Sequence, residues 1–149
     1  MMKLSEFSGE MDAASPHETL GQLLCWSRKV LLAHGIVNGI HESEWLLSFC
    51  LHCSRADLYL RANWTVDHSM YEKFLMLLRR RCGREPLQYI LGTAPFCDLE
   101  LTVDRRVLIP RPETEELLRA VVDYYSSTKS VPQSIADLGT GTGAIIIAL

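Results

Sequence analysis

The sequence predicts a mixed chain, α+β passing into α/β. An N-terminal bundle of four short helices is followed by a β-hairpin linker and then by the opening strand, turn and helix of a parallel α/β unit. Three observations carry this reading. Apolar residues recur at helical spacing between Leu20 and Cys82. Leu99, Leu101 and Val103 then alternate with Glu100 and Thr102 at the two-residue period of a strand. Near the C-terminus the short apolar run Ile135-Ala136 meets Asp137, a loop with glycine at 139, 141 and 143, and a second apolar run from Ala144 to Leu149. That last pattern is strand, tight turn and helix start.

Composition narrows the class. The chain has 149 residues, 48% hydrophobic and 22% charged, which suits one good core or two small ones rather than a disordered tail. A net charge of -3 and a pI near 5.9 give no global footprint for a polyanion, so such a partner would have to be met by a local patch. No apolar run approaches the length of roughly 18 residues that a membrane span needs. The first fifteen residues carry Glu6, Glu10 and Asp12 against Lys3 and lack an apolar stretch, unlike a secretory or organelle-targeting segment. A cytoplasmic monomer is expected. The five cysteines, an odd number scattered through apolar stretches, read as reduced thiols. Cys50 and Cys53 form a C-x-x-C around His52, with His41 upstream, but Cys82 and Cys97 do not supply a second pair at zinc spacing, so no metal is expected.

Along the chain, residues 1–14 are polar and aperiodic. Ser15-Pro16-His17-Glu18 offers an N-cap, a first-turn proline and a glutamate three residues after the cap, so a helix is expected to start there. Leu20, Leu23, Leu24, Ser27, Val30, Leu31 and His34 form its stripe, and Gly35 ends it in the left-handed conformation. A second helix is expected from His41 to Cys53 with Trp45, Leu46, Phe49, Cys50 and Cys53 buried. Ser54-Arg55-Ala56-Asp57 is a capping box for a short third helix through Leu60. Thr65 or Asp67 caps a fourth, with Tyr71, Phe74, Leu75, Leu78 and Cys82 on one face and Gly83 and Pro86 as its stop. Arg79, Arg80, Arg81 and Arg84 at its end suit the negative pole of the helix dipole, or contact with an acidic or RNA-bearing partner. The bundle places no nucleophile beside a base, so binding another macromolecule is the role it fits.

After Pro86 the hairpin is expected to run through Leu99–Val103, turn at Asp104-Arg105-Arg106 and return through Val107-Leu108-Ile109. Pro110-Arg111-Pro112-Glu113-Thr114-Glu115-Glu116 opens another helix, with glutamates at its positive end and Leu117, Leu118, Val121, Val122 and Tyr125 as its inner face. The glycine loop itself leaves alternatives open. Gly139, Gly141 and Ala144 satisfy a dinucleotide fingerprint, Asp137-x-Gly139-x-Gly141-x-Gly143 resembles the first motif of S-adenosylmethionine-dependent methyltransferases, and a plain turn between packed elements also favours glycine. One strand cannot form a parallel sheet, so the sequence is expected to be the N-terminal part of a longer protein.

Taken together, Pro86-Leu87-Gln88-Tyr89-Ile90-Leu91-Gly92, Leu108-Ile109-Pro110-Arg111-Pro112-Glu113-Thr114-Glu115 and Asp137-Leu138-Gly139-Thr140-Gly141-Thr142-Gly143 resemble, in order and spacing, the N-terminal half of the release-factor glutamine methyltransferases, the PrmC or HemK family. The resemblance favours S-adenosylmethionine as cofactor. It implies a helical release-factor-binding domain (1–85), a linker with a β-hairpin (86–110) and the beginning of a class I, Rossmann-like methyltransferase domain (111–149). The implied reaction is methyl transfer to the side-chain amide nitrogen of the glutamine in the Gly-Gly-Gln motif of peptide-chain release factors. It further implies that Gly139, Thr140, Gly141, Thr142 and Gly143 line the cofactor, that Asp137 receives its ammonium, and that Pro110, Arg111, Pro112, Glu113, Thr114 and Glu115 close over its methionine end. The family's Asn-Pro-Pro-Tyr tetrapeptide, which holds the target amide, is not in this sequence, so no catalytic residue is assigned within it and residues 1–149 are expected to be inactive alone. Three rival readings remain. An adenine-N6 nucleic-acid methyltransferase predicts a basic cleft, a dinucleotide-dependent oxidoreductase predicts an apolar residue where Asp137 stands, and a non-catalytic docking fragment predicts binding without turnover.

Overall fold

A computed structural model describes residues 19–129 and 132–149. The chain divides into two compact units between Ile90 and Leu91. The first unit contains helices α1 (Leu20–Ala33), α2 (Gly39–Leu51), α3 (Arg55–Leu60) and α4 (His68–Cys82), and α5 (Leu87–Leu91) lies at the division. The second contains strands β1 (Thr93–Phe96) and β2 (Leu99–Thr102) and helices α6 (Pro112–Thr128) and α7 (Ala144–Ala148).

The cap of α1 is Thr19, whose hydroxyl accepts from the Gln22 amide while the Gln22 side chain accepts from the Thr19 amide. This capping box fixes the start of α1; the Ser15-Pro16-His17-Glu18 start lies outside the described residues. Leu20, Leu23, Leu24, Ser27, Val30 and Leu31 are buried as their spacing predicts; His34, expected on the same stripe, is half-buried because it lies past the last turn as the C-cap, and Gly35 follows at φ 70°. Ser54 and Asp57 form the expected reciprocal cap on α3, and Asp67 rather than Thr65 caps α4, accepting from the Met70 amide at 2.9 Å. Tyr71, Phe74, Leu75 and Leu78 line the buried side of α4, joined by Met70 and Leu77, while Cys82 is half-buried.

The inner face of α2 departs from expectation. Gly39, Ser43, Glu44, Leu46, Leu47 and Ser48 are buried, whereas Trp45 and Phe49 are 48% and 43% exposed and Cys50 and Cys53 are half-buried. The smallest residues decide this. A Cβ at Gly39 would stand 2.9 Å from the Cβ of Leu31, so α2 meets α1 across its glycine side and turns its large aromatics outward. The buried Ser43 hydroxyl returns to the Gly39 carbonyl at 2.7 Å, which removes the cost of burying it.

The hairpin also lies elsewhere than predicted. β1 and β2 pair antiparallel with Thr93 opposite Thr102 and Phe96 opposite Leu99, so the turn is Cys97-Asp98, with Cys97 at φ 51°. Val107-Leu108-Ile109 is not a strand. Phe96 and Leu101 enter one apolar cluster with Leu118 of α6 and Ala144 of α7. Of the inner face expected for α6, Leu118 is buried, Val121 and Tyr125 are half-buried, and Leu117 and Val122 are exposed. Ser134–Asp137, expected to lead in as a strand, is outside regular structure and has no ladder partner, because the sheet among the described residues is β1-β2 alone.

Candidate functional site

The glycine loop folds by local bonds. Gly139, Gly141 and Gly143 have φ values of 79°, 55° and 77°, a region in which a side chain is strained, so the conformation itself calls for glycine at all three positions. A Cβ placed on Gly139 would meet nothing within 4 Å, so the space beside the backbone there is open. The Gly143 amide donates to the Thr140 carbonyl at 2.8 Å, and Thr142 Oγ1 accepts from the Ala144 amide at 3.3 Å, where α7 begins. The Thr140 hydroxyl donates to Asp137 Oδ2 at 3.0 Å. This bond orients the half-buried carboxylate and leaves its second oxygen to accept a further donor.

The other predicted segment straddles a loop and a helix end. Pro110 and Arg111 are outside regular structure, and Pro112, Glu113, Thr114 and Glu115 form the first turn of α6. The Thr114 amide donates to the Arg111 carbonyl at 2.9 Å. Glu115 reaches away from the helix: it accepts from the Cys97 amide at 3.1 Å, so the hairpin turn is tied to α6, and from Arg119 at 3.2 Å. Leu118 against Ala144 then packs α6 near the helix that follows the glycine loop. The residues offer backbone amides, a carboxylate and open space on one loop, a donor and acceptor set that fits a small zwitterionic cofactor with a cationic amine.

In the helical unit, a buried carboxylate that no sequence motif marks holds three helices together. The Glu44 carboxylate of α2, only 4% exposed, accepts from Arg28 of α1 at 2.9 Å, from Arg55 Nε of α3 at 2.8 Å, and from the Tyr59 hydroxyl of α3. Burial pushes the Glu44 carboxyl up, but the bonds from Tyr59 and Arg55 and the charges of Arg55 and Arg28 outweigh that and hold it below its ordinary value. The Arg28 and Arg55 guanidiniums also lie over the Tyr59 and Trp45 rings. An acid on the small-residue side of α2 was the available signal.

The arginines at the end of α4 are largely occupied within the fold. Arg80 pairs with Glu85 at 2.8 Å, Arg81 pairs with Glu42 and donates to the Glu85 carbonyl at 3.0 Å, and Arg84 donates to the Gly35 carbonyl at 3.3 Å. Their positions tie α4 to α2 and to the end of α1. Around the C-x-x-C, His41 accepts from Arg55 at 3.1 Å and His52 caps α2 at φ 49°; among the described residues no three His, Cys, Asp or Glu side chains stand together as a ligand set. Burial pushes the Cys50 and Cys82 thiols up to about 11. No helix among the described residues is long and apolar enough to cross a membrane.

Residues 22–92 match the family described as the PrmC N-terminal domain. Over 133 residues the chain is 38% identical to the release factor glutamine methyltransferase of Geobacter sulfurreducens, covering 88% of this chain and 45% of that protein. It is 37% identical over 126 residues to the protein of the same name from Buchnera aphidicola, covering 83% and 44%. With that of Nitratidesulfovibrio vulgaris it shares 34% identity over 137 residues, covering 92% and 45%. The chain spans about 45% of the length of these curated relatives.

Proposed function

We infer from these matches that the chain belongs, as an N-terminal portion, to the release factor glutamine methyltransferase family, the PrmC or HemK family, and propose that the whole protein methylates the glutamine side-chain amide nitrogen in the Gly-Gly-Gln motif of peptide-chain release factors. S-adenosylmethionine, when bound, supplies a methyl group on a positively charged sulfur. The observation that carries the cofactor assignment is the glycine loop, three left-handed glycines within five residues beside a carboxylate oriented by Thr140. Gly139, Thr140, Gly141, Thr142 and Gly143 hold the cofactor through backbone and hydroxyl groups, and Asp137 receives its ammonium in a charge-assisted bond. Pro110, Arg111, Pro112, Glu113 and Thr114 cover the methionine end.

In this reading residues 1–85 recognise the release factor, 86–110 link, and 111–149 begin a class I methyltransferase domain. An amide nitrogen is a weak nucleophile because its lone pair is delocalised into the carbonyl. The protein's contribution is therefore hydrogen bonding to that amide and in-line positioning against the methyl carbon. The tetrapeptide Asn-Pro-Pro-Tyr implied for that task does not occur in residues 1–149, which we read as binding without turnover when alone. The carboxylates paired with Arg80 and Arg81 do not support a nucleic-acid substrate.

The reading is tested by incubating the whole protein with a release factor and methyl-labelled S-adenosylmethionine. Label should enter the factor and vanish when its Gly-Gly-Gln glutamine is replaced; labelling that persists overturns the substrate assignment. Asp137→Ala should weaken cofactor binding by about tenfold, read by calorimetry, and unchanged affinity removes Asp137 from the site.

A further inference from the structure

We propose that a polar pocket on the helical unit is a docking site for a carboxylate-bearing segment of a protein partner. The pocket has a volume of about 580 Å³ and is bounded by His41, Glu42 and Trp45 of α2, Arg81 and Arg84 at the end of α4, and Gln88 of α5. That is room for one or two side chains. Its charges are unequal in availability. Arg81 is spent on Glu42 and the Glu85 carbonyl, whereas Arg84 is exposed and its bond among the described residues is to the Gly35 carbonyl, at 3.3 Å. The guanidinium of Arg84 thus retains donors and its full charge for an incoming carboxylate. Trp45 forms a half-exposed aromatic wall, and Trp and Arg are the residue types that carry most energy in protein interfaces.

The pocket continues into the Glu44 cluster, because Trp45 lies under Arg55 and His41 accepts from Arg55. Across this continuous face stand the guanidiniums of Arg28, Arg55, Arg81 and Arg84 against the carboxylates of Glu42 and Glu44, on a chain whose net charge is -3. The local excess of positive charge selects an acidic partner. A nucleic acid fits less well: Arg55 and Arg28 already cover faces of the Trp45 and Tyr59 rings that bases would stack on. The inference stands apart from the methyl-transfer reading, because neither the pocket nor its charge depends on the cofactor loop.

Three probes separate the outcomes: an acetylated, amidated hexapeptide alternating Glu and Ala, its counterpart alternating Gln and Ala, and hexauridylate. Each is titrated into isotope-labelled chain 1–149 while the Trp45 indole and Arg84 Nε–H resonances are followed. The Glu peptide should give saturable shifts of both and the Gln peptide none. Arg84→Gln should weaken the Glu peptide by about tenfold, and Arg84→Lys should restore part of the loss. Where Arg84→Gln does not keep its thermal melt, Trp45→Ala decides, and it should weaken the peptide as well. Absent or unsaturable shifts, equal response to the Gln peptide, or unchanged affinity in the deciding variant overturn the proposal. Tighter binding of hexauridylate than of the Glu peptide overturns it in favour of nucleic acid.

Discussion

Replacing Glu44 with glutamine should be among the most destabilising conservative changes in the helical unit. The amide keeps one acceptor oxygen but turns an NH2 toward Arg28, Arg55 or Tyr59, all of which donate to this side chain. Breaking a fully buried ion pair costs about 3–5 kcal/mol because a charge is left stranded. Here the Arg28 and Arg55 side chains are 26% and 39% exposed, so water recovers part of their hydration, and the expected loss is about 2–3 kcal/mol. Urea melts of the full chain at pH 7, followed by circular dichroism, measure it. The loss should depend on pH in one direction. Because the folded-state pKa of Glu44 is depressed, its contribution is fully present above the ordinary value of 4.5 and disappears as pH falls through the folded value. Wild type and Glu44→Gln should therefore converge in acid. A difference below about 0.5 kcal/mol at pH 7, or one that persists unchanged at pH 3, would refute the assignment of Glu44 as the tie between α1, α2 and α3.

Two further outcomes follow from packing. Gly39→Ala should lower stability by about 1–2 kcal/mol, since its Cβ must displace Leu31 or the facing backbone, while Trp45→Ala on the outer side of the same helix should cost less; thermal melts that reverse this order would contradict the packing of α2. With iodoacetamide at pH 8, mass spectrometry should find the exposed Cys25 and Cys97 alkylated well before Cys50 and Cys82. Those two are half-buried and, with thiols near 11, almost wholly protonated; equal rates would mean that the helical unit opens faster than it is labelled.

Much of the helical unit was legible because its signals are local. The boxes at Ser54 and Asp57, the cap at Asp67 and the stripe from Leu20 to Leu31 each depend on residues within a few positions of one another. The orientation of α2 was not, since it is set by how closely α1 approaches Gly39, and large apolar side chains drew the sequence reading to Trp45 and Phe49 instead. The hairpin was shifted for two reasons. Pro95 sits within β1, opposite Glu100, where a proline argues against a strand, and the turn uses Cys97 in a left-handed conformation that glycine or asparagine ordinarily marks. At the candidate site the glycines declared their own backbone geometry. The segment before them shows no ladder, because a strand is defined by a partner and sequence periodicity names none.

The Glu44 cluster also bears on how quickly and how selectively this face can be met. Arg28 and Arg55 are long side chains that lose rotamer entropy when an interface immobilises them, about 0.5–1.5 kcal/mol each. In this fold they are already held from two sides, by the Glu44 carboxylate beneath and by the Tyr59 and Trp45 rings alongside. That ordering cost falls on folding rather than on encounter. A molecule arriving here meets a preorganised surface, so association can proceed as a rigid-body event and differences among ligands should lie mainly in how long each one stays.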